Sequence, residues 1–232
     1  MTRHVALLGH PVAHSRSPLM QNAAFAASRL DWHYSAFDVA DPLAAVAALR
    51  TLGFEGANVT IPHKRAVVAA CDEADGDSVN TLLFRDGRVI GHNTDREILR
   101  GIDARRACLI GAGGAAAALR GSLPADTRSY SRSGEWPPDA EGCDLIVNAT
   151  PLTEELLVVP RAGQCVVELA YRADGAETAL VAAARAAGCV VIDGLEALVR
   201  QGAASFELWT GLPAPVELMR EALGAGGSAR GK

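Results

Sequence analysis

The sequence predicts an α/β protein of two domains with mainly parallel strands. Three observations carry this. Short apolar runs alternate with Ala-rich helical stretches along most of the chain, the pattern of repeated βα units. A glycine-rich turn, Gly111-Ala112-Gly113-Gly114, separates one such run from the next Ala-rich stretch near mid-chain. The 232 residues suffice for one large domain or two small ones, at about 150 residues per domain.

The elements follow in order. His4 to Gly9 reads as the first strand. Ser17-Pro18 opens a helix to about Leu30, since Ser is a favoured N-cap and Pro fits the first helical position. His33 to Val39 is a strand. Asp41-Pro42 repeats the cap signal, and Gly53 closes that helix. Gly56 to Thr60 is a strand, and Pro62 opens a short helix. Val79 to Phe84 and Arg88 to His92 flank Asp86-Gly87, a hairpin signal. A helix starts after Asn93-Thr94-Asp95. A second domain begins near Arg105, after the charge-rich stretch Leu99 to Arg105. Its strands are Ala107 to Ile110, Thr127 to Ser131, Asp144 to Asn148, Gln164 to Leu169 and Cys189 to Ile192. Ala115 to Gly121 and Ala176 to Ala187 are its helices. Gly194 to Thr210 and Pro215 to Leu223 read as terminal helices. From Gly224 to Lys232 the tail is Gly-rich and basic, and fraying is expected.

Composition narrows the function. Lys plus Arg number 22 against 27 Asp plus Glu, a net charge of −5, where a nucleic-acid binder normally carries a basic surplus. No apolar run is long enough to span a bilayer, and Met1 to Val5 leads straight into the first strand, so neither an anchor nor a leader is read. The five cysteines, Cys71, Cys108, Cys143, Cys165 and Cys189, are odd in number and widely spaced. They read as small buried thiols in a reducing cytoplasm, with no metal site expected.

Gly111 to Ala116 fits G-x-G-x-x-G/A between a strand and a helix. Gly111 permits the tight turn, Gly113 lets backbone approach a pyrophosphate, and Ala116 lets helix and strand pack closely; Gly114 completes the turn and Ala115 starts the helix. This is a dinucleotide-binding signature in the expected strand–turn–helix context. About twenty residues on, where an NAD binder usually places an acid, stands Ser129-Tyr130-Ser131-Arg132-Ser133. The Arg132 cation beside the Ser131 and Ser133 hydroxyls suits a 2′-phosphate, which favours NADP(H).

The first domain concentrates polar groups at strand ends: His14-Ser15-Arg16-Ser17, Asn58-Val59-Thr60-Ile61-Pro62-His63-Lys64, Ser78-Val79-Asn80-Thr81 and Asn93-Thr94-Asp95. Ligands of open α/β sheets bind beyond the carboxyl ends of strands. Hydroxyls, amides, one Lys and one Asp match a small, polyhydroxylated, anionic substrate. Lys64 and Asp95 form a proton-transfer pair that complements hydride transfer to a cofactor. Taken singly, turns and caps account for most of these residues.

These segments, with Gly9 to Pro18, Val79 to Leu82, Asn148-Ala149-Thr150-Pro151 and Gly194 to Gln201, resemble the shikimate dehydrogenase family over almost the whole chain. The resemblance implies reversible NADPH-dependent reduction of 3-dehydroshikimate to shikimate, a step of aromatic amino acid (chorismate) biosynthesis. It implies Lys64 and Asp95 as the catalytic pair. Ser15 and Ser17 would hold the substrate carboxylate. Thr60, Asn80 and Gln201 would bind the substrate, with Tyr171 lining the site. Gly111, Gly113, Gly114, Ala115, Ser131, Arg132 and Thr150 would hold the cofactor. It also implies that the last helices return to the first domain. The expected partition is therefore 1–99 plus 197–232 for the substrate domain and 100–196 for a Rossmann-like NADP-binding domain, in a cytoplasmic monomer or homodimer.

The chain departs from the family pattern in places. It is short. Between Ser131 and Asp144, Gly134, Pro137 and Pro138 preclude a regular helix, so little apolar wall is expected beside adenine. Arg96 stands where the family has Gly, Leu152-Thr153-Glu154 replaces x-Gly-Met, and the segment before Asn80 is compressed. Two other readings remain open: a quinate or aminoshikimate dehydrogenase, and a non-catalytic shikimate-binding homologue with impaired cofactor binding.

Overall fold

The computed structural model describes residues 1–224, so the tail beyond Gly224 lies outside the described residues. The chain forms two compact units, Met1–Ile98 together with the segment from Val199, and Leu99–Leu198.

The first unit carries a six-stranded sheet. Its elements are β1 (Arg3–Gly9), α1 (Ser17–Ala27), β2 (Trp32–Asp38), α2 (Pro42–Thr51), β3 (Gly56–Val59), β4 (Glu73–Ala74), β5 (Thr81–Arg85) and β6 (Arg88–His92). The strand order is β2-β1-β3-β5-β6-β4. β1 runs parallel to β2 and β3, whereas β5 pairs antiparallel with β3 and with β6. Asp41 caps α2 by accepting from the Leu43 and Ala44 amides at 2.9 and 3.1 Å. Asp86 and Gly87 both have positive φ, 53° and 75°, as a two-residue hairpin turn between right-twisted strands requires. One core runs under this sheet through Leu8, Val46, Leu49, Val59, Val79 and Leu82.

The second unit holds β7 (Arg106–Ile110), α3 (Gly114–Arg120), β8 (Asp126–Tyr130), β9 (Leu145–Asn148), β10 (Cys165–Glu168), α4 (Ala179–Ala186) and β11 (Val190–Ile192). Its five strands are all parallel, in the order β11-β10-β9-β7-β8. β9 is buried at every position, as expected of a parallel strand covered on both faces. Chain direction across the sheet reverses between β7 and β9, and a doubly wound sheet binds ligands at that switch point. α5 (Gly194–Thr210) leads from this unit into the first, and α6 (Val216–Leu223) packs on α1.

Several expected elements differ in detail. Ser17 is not the cap of α1. Arg16 occupies the cap position without a side-chain bond, and Ser17 is the first helical residue. The Ser17 amide is taken by Ser15 Oγ at 3.3 Å instead. Helix α1 ends at Ala27 rather than near Leu30. No α-helix follows Pro62; turns lead into a 3₁₀ segment, Ala66–Ala70. The Lys64 carbonyl, which an α-helix would bond to Val68, accepts from the Val79 amide at 3.0 Å. The helix expected after Asp95 is a 3₁₀ segment, Thr94–Leu99, whose first amide is captured by Asn80 Oδ1 at 2.8 Å. The short strand β4 lacks the alternating signal that a sequence reading needs.

Trp209 of α5 locks the returning helix to the sheet. Its indole is buried and donates to the Leu82 carbonyl at 3.0 Å, with its ring centroid 6.0 Å from that of Tyr34. We expect Trp209→Ala to lower unfolding free energy by roughly 3–5 kcal/mol through cavity formation. Urea denaturation checks this, and a loss below about 1 kcal/mol contradicts the packing described.

Candidate active site

The antiparallel insertion of β5 concentrates polar chemistry at one end of the strands in the middle of the first sheet. Asn58, near the carboxyl end of β3, sits opposite Thr81 at the start of β5, and Thr81 sits opposite His92 at the end of β6. The segments after β3 and β6 and before β5 therefore meet. The Lys64 ammonium lies 2.6 Å from Asp95 Oδ2, with side chains only 11% and 7% exposed. Asp95 Oδ1 accepts from the Asn80 amide at 2.8 Å. That amide also lies 3.3 Å from Gln201 Oε1 of α5.

The orientation of Asn80 is determined from behind. Its Oδ1 accepts from the Thr94 amide at 2.8 Å and the Thr94 hydroxyl at 3.1 Å, so its NH₂ must face Asp95. Beneath it lies a buried cluster of Tyr34, Asn58, Thr81, Thr94 and Ser205. Tyr34 donates to Asn58 Oδ1 at 2.8 Å. Asn58 Nδ2 contacts the Asn80 carbonyl, Thr81 Oγ1 and Ser205 Oγ, each at 3.0 Å. Buried polar atoms are costly unless paired, and this degree of pairing makes the arrangement rigid.

The other expected substrate residues divide by unit. Ser15 and Ser17 bring their hydroxyls within 3.3 Å of each other beyond the end of β1. Thr60 follows β3 directly, with its amide bonded to the Leu8 carbonyl at 2.8 Å. Both Ser residues, Thr60, Lys64, Asn80, Asp95 and Gln201 belong to the first unit, whereas Tyr171 belongs to the second. Two departures from the family pattern meet in one loop. Arg96 Nη2 pairs with Asp75 Oδ1 at 2.9 Å, and Asp75 Oδ1 also accepts from the Asn93 amide at 2.9 Å. Arg96 thereby closes the compressed segment before Asn80 and braces the turn that carries Asp95.

In the second unit the glycine loop and Asn148-Ala149-Thr150 flank the switch point, at the carboxyl ends of β7 and β9. Gly111 has φ +123°, and a Cβ there would lie 3.0 Å from the Ala149 carbonyl oxygen. Only glycine suits this position. A Cβ at Gly113 would meet nothing within 4 Å, which leaves a backbone cradle open to a ligand. Gly114 and Ala115 begin α3. Ser131 and Arg132 follow β8. The Arg132 guanidinium lies 3.4 Å from Glu155 Oε2 and 5.8 Å from the centre of the Trp136 ring. The stretch from Ser131 to Asp144 contains no helix. It is not bare of apolar surface, since Trp136 and Ala140 pack against the core of this unit.

Sequence reasoning missed Glu168, the last residue of β10. It is fully buried, and burial pushes its carboxyl up to about 7 against the pull of bonds from Asn148, the Ala170 amide and Thr178. Its only sequence signal is a charge at the end of an otherwise apolar strand.

Known proteins give this arrangement a context. The shikimate dehydrogenase substrate binding domain matches residues 7–81, and the shikimate 5′-dehydrogenase C-terminal domain matches residues 194–223. The NADP(+) shikimate dehydrogenase of Moorella thermoacetica is 41% identical over 98% of this chain and 97% of its own length. Among solved structures, shikimate 5-dehydrogenase from Thermus thermophilus with NADP(H) and shikimate is similar. It is 32% identical, with a TM-score of 0.84 over 97% of this chain and 100% of its own. Quinate dehydrogenase from Corynebacterium glutamicum, in complex with NAD, is 25% identical with a TM-score of 0.79 over 96% of this chain and 98% of its own.

The raised Glu168 carboxyl has a consequence for stability. It binds its proton more tightly in the folded chain than in the unfolded one. Its contribution is complete below about pH 4.5 and is lost as pH rises through about 7. We expect Glu168→Gln to remove a downward slope of unfolding free energy between these values, worth roughly 3 kcal/mol. Urea melts of both proteins at about pH 5 and about pH 8 test this, and parallel slopes contradict it.

Proposed function

The chain belongs to the shikimate dehydrogenase family, and we propose from that premise that it interconverts 3-dehydroshikimate and shikimate with NADP(H). The observation that carries this reading is the buried Lys64–Asp95 pair held by Asn80 at 2.6 and 2.8 Å. When bound, the nicotinamide supplies or takes up the hydride. Oxidation of the substrate alcohol then releases a proton from its hydroxyl, and the Lys64–Asp95 pair takes it up. In the reverse direction the Lys64 ammonium, with three N–H donors and one used on Asp95, protonates the carbonyl oxygen.

In this reading the paired hydroxyls of Ser15 and Ser17 bind the substrate carboxylate. Thr60, Asn80 and Gln201 bind the remaining polar groups, and Tyr171 lines the site. Gly111, Gly113, Gly114 and Ala115 form the backbone cradle for the pyrophosphate. The open Gly113 position and the close Gly111–Ala149 approach fit that role. Thr150 stands beside the cradle. Arg132 and Ser131 receive the 2′-phosphate. Arg132 is 68% exposed and its partner Glu155 55%, so the pair contributes little and gives way readily to a phosphate. A cytoplasmic monomer or homodimer remains part of the proposal. No described helix is long and apolar enough to cross a membrane.

Initial rates with shikimate or quinate, each with NADP or NAD, test the assignment. We expect shikimate with NADP to be fastest. Faster quinate turnover moves the chain to the quinate class. Shikimate binding without any cofactor reduction makes it a binding homologue. Arg132→Ala should abolish the preference for NADP and leave NAD affinity nearly unchanged, because NAD lacks the phosphate that the guanidinium contacts. Equal NADP and NAD affinity in the unmodified protein contradicts that role for Arg132.

A further inference from the structure

Three side chains at the end of the second sheet form a hydrogen-bonded series of fixed polarity. Glu168 closes β10 and Asn148 closes β9, and the two are register partners. Asn148 Nδ2 donates to both carboxylate oxygens of Glu168, at 3.1 and 3.0 Å. The same carboxylate accepts from the Ala170 amide at 3.0 Å and from the Thr178 hydroxyl at 3.3 Å. A carboxylate offers only acceptors, so the NH₂ of Asn148 must turn toward it. The Asn148 carbonyl oxygen then faces outward and accepts from the Thr150 amide at 3.0 Å and the Thr150 hydroxyl at 2.7 Å. The Thr150 proton is thereby committed inward. Its oxygen accepts from the Leu152 amide at 3.3 Å and retains one lone pair.

Topology says which part of a dinucleotide meets that lone pair. The glycine loop follows β7, and β7 lies between β8 and β9. Arg132 follows β8 on one side of the loop, and Thr150 follows β9 on the other. A cofactor with its pyrophosphate at the loop and its 2′-phosphate at Arg132 extends its nicotinamide riboside half past Thr150.

We propose that Glu168 is a positioning residue which, through Asn148, makes the Thr150 hydroxyl a hydrogen-bond acceptor for a ribose hydroxyl or carboxamide N–H of the nicotinamide half. The inference rests on the cofactor reading above. An acceptor at this place disfavours phosphate and selects a donor, so it orients the nicotinamide end without contributing to the adenosine end.

The test compares NADP with adenosine 2′,5′-bisphosphate, which lacks the nicotinamide half, by calorimetric titration at about pH 8, above the value near 7 to which the Glu168 carboxyl is raised. Glu168→Gln replaces one of the two oxygens that accept from the Asn148 NH₂ with an N–H donor and weakens the polarity. NADP affinity should fall about tenfold, one strong hydrogen bond's worth, with the fragment unaffected. The double variant N148D/E168Q restores the series with its two partners exchanged. The amide introduced on β10 donates to the carboxylate introduced on β9, which still accepts from Thr150, and NADP affinity should recover. Thr150→Val provides a second route if Glu168→Gln fails to fold, and it should lose NADP affinity but not fragment affinity. Unchanged NADP binding in Glu168→Gln or in Thr150→Val overturns the proposal. So does an equal loss of fragment binding, or a double variant no better than the single one. If the unmodified protein binds neither ligand, the cofactor reading itself fails and takes this inference with it.

Discussion

The first unit is organised around one carboxylate. Asp95 is almost fully buried, and its charge is met by the Lys64 ammonium on one oxygen and the Asn80 amide on the other. A buried charge deprived of its partner is expensive, so the segments that carry these three residues must meet. That requirement accounts for the antiparallel insertion of β5, which reverses the chain so that Asn80 arrives beside the exit of β3. It accounts for the diverted Lys64 carbonyl and for the 3₁₀ segment after Asn93, whose opening amide is spent on Asn80. The local helices give up regularity so that side chains converge.

Support for this centre comes from far along the chain. Ser205 and Trp209 on α5 reach the same sheet, Ser205 through Asn58 and Thr81, Trp209 through the Leu82 carbonyl. Gln201 lies one turn before Ser205 on the same helix, and Ser205 Oγ bonds back to the Gln201 carbonyl at 3.0 Å. The returning helix is thus a structural brace that also carries Gln201, proposed above as a substrate-binding residue. In the second unit a comparable arrangement surrounds Glu168, which orders the strand ends next to the glycine loop. In each unit a buried carboxylate accepts from an asparagine amide whose carbonyl oxygen is held by a threonine amide and hydroxyl.

Local chemistry was legible in the sequence where one or two neighbouring residues decide it. The Asp41-Pro42 cap, the Asp86-Gly87 turn and the Gly111 loop are of this kind; Lys64, Asn80 and Asp95, whose bonds span 31 and 15 residues, were read from their polar strand-end segments and the family resemblance rather than from neighbours. Ser17 looked like a helix cap because Ser-Pro has that chemistry, yet Ser15 reaches the amide first. Tyr34 and Ser205 could not be read, because their value lies in bonds to Asn58 across 24 and 147 residues. Glu168 was hidden for the same reason. The loss of a helix between β8 and β9 was readable from its prolines. The packing of Trp136 under Arg132 was not, since it depends on where the shortened loop folds back.

Catalysis as proposed depends on Lys64 and Asp95 acting as one group rather than as two independent contributors. A double-mutant cycle in kcat/KM for shikimate, with Lys64→Ala, Asp95→Asn and the combination, measures this directly. Each single change should cost roughly 10²–10⁴-fold, and the double variant should cost little more than the worse single one, because residues that act as a unit are strongly non-additive. Losses that multiply in the double variant, or near-unmodified turnover in either single one, would contradict it.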